Sequence, residues 1–195
     1  MLKNLTRVTM AAALVLCGLS SMARADDGGR RRTYQTANII DFHTGVAVGG
    51  AVTMYRGINV VDAAVATSGL DQNAAYTVWW VVFNRPNHCV GGCGEDDLAR
   101  PEVRPSVFYA AGFVTGNDGT ANVTAHLEAG ALPEGVDVLL GRGLHRGNGL
   151  RAEIHLVVRS HGPIIPGMVD KQISTFDPAC AVCDDEQAAV LLPPQ

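Results

Sequence analysis

Charge is scarce in this sequence. Asp, Glu, Lys and Arg make up only 17% of its 195 residues, and Lys and Glu are few. Long surface helices draw on those two residues, so their scarcity points to turns and strands. The formal net charge of −4 excludes a basic nucleic-acid binder. No segment reaches the ~20 apolar residues that a spanning helix needs, and no internal repeat is visible. A G-x-S-x-G elbow is absent, as is the EF-hand spacing, so no reaction is identified. What is present is 47% hydrophobic residues and 22 glycines, enough for one core of ordinary size.

The first 25 residues, MLKNLTRVTMAAALVLCGLSSMARA, have the three parts of a secretory signal. Lys3 and Arg7 supply a positive start, Met10 to Leu19 an apolar stretch, and Ala23-Arg24-Ala25 a small-x-small cleavage site. Cys17 raises a lipoprotein anchor, but Leu16 before it is not small, which favours ordinary cleavage after Ala25. The expected organisation is a signal peptide over 1–25, a flexible leader over 26–33 and one domain over 34–195. Cleavage removes three positive charges and takes the formal net charge from −4 to −7. The address is the periplasm or the extracellular space.

Cys89, Cys93, Cys180 and Cys183 remain after cleavage, an even number that reads as two disulfides in an oxidising compartment. The competing reading is zinc, because C-x3-C with a distant C-x2-C resembles ligand spacing. Pairing stays open: local bridges would staple loops, and crossed ones would tie the tail to the middle of the domain.

From Tyr34 onward the pattern is β. Residues 51–55 and 58–67 read as a hairpin around Gly57, with Val61, Ala63 and Val65 pointing inward. The unbroken apolar run of 76–84, YTVWWVVFN, predicts a central strand covered on both faces. Residues 107–115 and 120–129 flank the turn Gly116-Asn117-Asp118-Gly119. Short strands are expected at 136–140 and 171–176, and 150–160 alternates with Ala152, Ile154, Leu156 and Val158 on one face. Acids followed by Ala188, Val190 and Leu191 before Pro193-Pro194 read as one short C-terminal helix over 184–192. The fold class is all-β, a single Greek-key β-sandwich of the immunoglobulin or fibronectin III kind.

Two resemblances bear on this. Leu70, six residues before Tyr76 at the start of a strand, is similar to the tyrosine corner of fibronectin type III-like sandwiches, in which the phenol bonds back to backbone across a turn. The segments WWVVFN (79–84), CGEDD (93–97), EIHLVVRSHGP (153–163) and PGMVDKQISTF (166–176) resemble a family of exported bacterial proteins of unknown function. That resemblance implies one domain and no assigned chemistry.

The candidate site is a histidine face. Glu153, His155, Arg159 and His161 alternate with the apolar stripe, and His126 and Glu128 have the same parity on another strand. If strand 151–160 lies beside strand 120–129, then Glu153, His155, His161 and His126 offer a divalent metal, zinc or copper, one carboxylate and three imidazoles. The bland alternative is the solvated side of an antiparallel sheet. Glu95-Asp96-Asp97 suggests either calcium or the start of a helical turn over 96–100, and Asp184-Asp185-Glu186 repeats the theme. Trp79 and Trp80 suit sugar stacking or a core with one ring per face. The expected function is a non-enzymatic exported domain that binds or scaffolds an unknown ligand or extracytoplasmic protein. A metal-binding protein is the alternative, and a carbohydrate-active one the weaker third.

Overall fold

The computed structural model describes residues 32–130, 132–178 and 183–195. The segment read from sequence as a signal peptide, most of the expected leader and Cys180 lie outside them. Among the described residues no helix is long and apolar enough to cross a membrane.

The protein is all-β. Its strands are β1 (Thr33–Asp41), β2 (Ala47–Arg56), β3 (Val60–Thr67), β4 (Ala74–Phe83), β5 (Pro105–Val114), β6 (Ala121–Glu128), β7 (Val138–Leu140), β8 (Glu153–Pro163) and β9 (Asp184–Leu191), with one four-residue helix, α1 (Val169–Gln172). Among the described residues the nine strands form a single sheet in the order β6-β3-β2-β1-β9-β8-β4-β5-β7, each pairing being antiparallel. The sheet curls into a half-barrel, where a sandwich of two sheets was expected. Strands β5 and β6 approach at the open seam without a shared ladder. The turn at 116–119 therefore carries the chain from one end of the sheet to the other and closes no hairpin between them.

Period-2 patterning places the core. Val52, Met54, Val61, Ala63, Val65, Val78, Trp80, Val82, Ile154 and Leu156 all point into the curl and are at most 3% exposed. Each large side chain buried this way contributes about 1.5–3 kcal/mol. Strand β4 is covered on both faces as its sequence predicts. Trp80 faces the core, and Trp79 faces outward under Tyr109 and Phe176, at 6.1 and 5.2 Å between ring centres. Neither indole is free for a sugar.

Two sequence expectations are corrected. Residues 184–191 are strand β9, not a helix, with Gln187, Ala188, Ala189 and Leu191 buried. Eight residues are too few for a stable helix by themselves, and this segment instead fills the gap between β1 and β8, satisfying backbone groups on both. Residues 171–176 form no strand: α1 and the turns around it strap the outer face of β4 and β5. Fully buried Gln172 anchors the strap, donating from Nε2 to Pro163 O at 3.0 Å and accepting from Ile165 N–H at 2.9 Å. The Tyr109 hydroxyl donates to Ile173 O at 3.0 Å.

Cys89 and Cys93 are bonded to each other, which removes the crossed pairings. Cys183 is also in a disulfide. The Tyr76 hydroxyl accepts a hydrogen bond from Asp71 N–H at 2.9 Å, reaching back over the turn that precedes β4.

Gly112 lets the strap lie this close, because a Cβ there would run into the carbonyl of Ile173. Gly112→Ala is expected to lower stability by about 2 kcal/mol in urea unfolding, the ordinary cost of overpacking. Unchanged stability would mean that the strap does not rest on β5.

Candidate functional site

The residues of the expected histidine face do lie on one side of β8, but they separate into three environments. Glu153 and His155 form a pair at 2.8 Å, largely buried, with the Phe83 ring 5.0 Å from the imidazole. His161 is 2% exposed at the far end of the strand. His126 sits on β6, with four strands between it and β8 in the sheet order, so the adjacency assumed from sequence does not exist. It bonds Asp62 on β3 at 2.6 Å, and that carboxylate raises its pKa. Among the described residues no three His, Cys, Asp or Glu side chains converge on a metal-sized site. The acidic runs also disperse. Asp97 turns inward to accept from Gly94 N–H and pair with Arg100, whereas Asp184, Asp185 and Glu186 reach His43, Arg159 and Tyr76 respectively.

His161 belongs to a fixed network. Thr77 Oγ1 accepts from Trp79 Nε1 at 2.7 Å and is also bonded to His161 Nε2 at 2.7 Å. The other ring nitrogen, Nδ1, faces Cys183 Sγ at 3.5 Å. Burial, reinforced by the neighbouring Arg159 charge, pushes its pKa down to about 4. A neutral imidazole with both nitrogens engaged is a structural element here.

The feature with chemical capacity lies elsewhere, where the β4–β5 connection meets the segment after β7. A hollow of about 460 Å³, within the range of small-ligand sites, has an apolar floor of Leu98, Ala99, Pro101 and Leu140. Arg104, Arg142 and half-buried His145 stand around it. No hydrogen bond or ion pair engages the Arg104 or Arg142 guanidinium among the described residues. The nearby acids Asp97 and Glu102 are taken by Arg100, at 3.0 and 2.8 Å. His145 is held below its ordinary pKa, first by burial and then by the charges of Arg104 and Arg85.

A buried amide organises this end. Asn84, 3% exposed just past β4, donates from Nδ2 to Arg104 O and Gly143 O, at 3.1 and 3.0 Å. Its Oδ1 accepts from His145 N–H at 2.8 Å. One side chain thus fixes the backbone of both cation-bearing segments. Ser106 adds to this, accepting from Gly143 N–H at 2.6 Å and donating to Leu140 O at 3.0 Å. Arg104 sits at φ 52° immediately before Pro105, a left-handed conformation that costs a bulky residue of order 1–2 kcal/mol. Gly141, at φ 76°, packs where a Cβ would strike Ser106.

Sequence reasoning missed these residues. Arg104, Arg142 and Asn84 come from separate segments and share no spacing. The visible signal was Gly141-Arg142-Gly143-Leu144-His145, two glycines framing a cation and an imidazole.

No family model matches the chain, and no curated protein does. A mutant of an SOD-like protein from Bacillus subtilis superposes with a TM-score of 0.40 at 11% identity, over 80% of this chain and 97% of that one.

The depressed His161 pKa has a defined consequence. The unfolded chain takes up a proton near pH 6.5 and the folded state only near 4, so stability is full above 6.5 and falls as pH drops through that window. The expected loss is about 2 kcal/mol once partial screening is allowed for. His145 acts in the same direction and His126 in the opposite one. Urea unfolding at pH 7.5 and 4.5 should show a smaller pH-dependent loss in His161→Gln than in the wild type. Equal losses would place the titration elsewhere.

Proposed function

We propose that this chain is an exported, non-enzymatic binding domain whose ligand is a small anion, held in the hollow of Arg104, Arg142 and His145. The observation that carries the reading is the pair of guanidinium groups left without an acidic partner among the described residues, over an apolar floor in a chain of net negative charge. Planar guanidinium forks suit carboxylate and phosphate oxygens, and the apolar floor suits a carbon skeleton behind them. The Asn84 scaffold and the strained Arg104 backbone support it, since they fix the two segments from which the guanidinium groups reach. Export is supported by the Cys89–Cys93 bridge, which suits an oxidising compartment. The mature domain on this reading begins at Asp26.

Titration with citrate, pyrophosphate and sulfate at low ionic strength tests it. At least one should bind, weakening with added salt. Arg142→Ala should weaken it about tenfold, the scale of one charge-assisted hydrogen bond. Arg104→Gly should do the same while leaving stability unchanged or raised by up to about 1 kcal/mol, because glycine accepts the left-handed conformation freely. Absence of binding, or unaltered binding in the double variant, overturns the proposal. Zinc or copper raising the melting temperature of the wild type but not of His155→Ala would favour the metal alternative instead.

A further inference from the structure

The outward side of β1, β2, β3 and β6 carries an ordered array of its own. Strand register aligns Tyr34 with Tyr55, Tyr55 with Asp62, and Asp62 with His126. These four residues form one row across the strands, at a spacing of about 4.8 Å each and so roughly 14 Å end to end. The same pairings set a second row beside it, Thr36, Thr53, Ala64 and Thr124. No Lys or Arg stands in either row.

The chemistry of the rows is distinct from that of the arginine hollow. Tyr34 and Tyr55 are 37% and 55% exposed, far outside the ordinary fate of an aromatic ring on a sheet. They meet edge-to-face at 4.9 Å, which holds the Tyr55 ring upright beside the small outward side chain of Ala64. The depression there measures about 390 Å³ and is bounded by Tyr55 on one side and by Thr124 and His126 on the other. Asp62 and His126 bond each other at 2.6 Å and remain more than half exposed, so each keeps hydrogen-bonding capacity toward solvent. An aromatic face, a carboxylate acceptor, an imidazole and threonine hydroxyls beside a small outward alanine match a ring that is apolar on its faces and hydroxylated at its rim. The Asp62 carboxylate, with Glu128 beside His126 at 3.7 Å, disfavours an anionic chain.

We propose that this face is a binding platform for a neutral oligosaccharide, with Tyr55 stacking on a sugar ring and Asp62 and His126 taking its hydroxyl groups. The site shares no residue with the arginine hollow and stands or falls independently of it. An open, shallow depression implies weak affinity for a single chain, with a Kd of about 1 mM or somewhat tighter.

Cellohexaose, xylohexaose, mannohexaose and maltohexaose are the probes, measured by saturation-transfer NMR and calorimetry on the disulfide-intact protein. At least one should bind the wild type. Tyr55→Ala should weaken that binding about tenfold, and Tyr55→Phe should leave it within about threefold, because the ring and not the phenol makes the contact. Asp62→Ala should weaken it as well. Amide NMR spectra establish that each variant is folded, which an exposed position favours. Failure of all four sugars to bind at about 10 mM overturns the proposal, as does wild-type affinity in the Tyr55→Ala variant. Binding confined to sulfated oligosaccharides also overturns it and directs attention to the arginines.

Discussion

Strand β9 has to fit between β1 and β8, and most of the rest of the structure follows from that constraint. Without it the sheet would break into two, each with an unpaired edge. Its ladder with β8 runs from Asp184 to Leu191, and its short ladder with β1 joins Ile40 to Ala188. Buried Gln187 ties it across the curl, through the Thr67 hydroxyl and Ser68 O. At its far end Leu191 O accepts from Arg56 at 2.8 Å. That guanidinium is fully buried and also donates to Ala152 O at 2.6 Å, while burial pulls its pKa down to about 10. Its two terminal nitrogens bond carbonyls while Nε finds no partner among the described residues, and losing those carbonyls would be costly for a buried cation, so β9 and the β8 entry are locked to β2.

Closure at β9 also sets what the outside of the sheet can do. On the β8 and β4 side the strap through α1 covers the face, with Arg159 laid 3.9 Å over the Phe176 ring and paired to Asp185 at 2.8 Å. The histidine and carboxylates there are consumed by the fold. On the β1, β2, β3 and β6 side nothing from the described chain covers the sheet, and the array stays open to solvent. The arginine hollow arises differently, where irregular segments meet and no strand register dictates spacing. There a single buried amide, Asn84, imposes the geometry.

The strands legible in the sequence were those whose burial is two-valued along the chain. Residues 154–160 alternate between buried and half-buried as in pattern, and the run through Trp79 and Trp80 is buried on both faces because the strap covers one and the core the other. The segment 184–191 was illegible because its alanines and leading acids favour a helix locally, and its pairing partners lie far away in sequence. His126 could be assigned to an outward face but not to a neighbour, since parity fixes a side of the sheet and says nothing about strand order.

Sequence alone therefore determined the β class and the inward stripe of the regular strands, which depend on neighbours within a few residues, whereas the bonding of Cys89 to Cys93 was decided by the structure. Tertiary structure decided the single curled sheet, the dispersal of the histidines, and the meeting of Arg104 with Arg142 and His145. It also decided the row from Tyr34 to His126. Those depend on which edges pair, and edge pairing is selected by the summed burial and hydrogen bonding of the whole chain, a quantity that no local window contains.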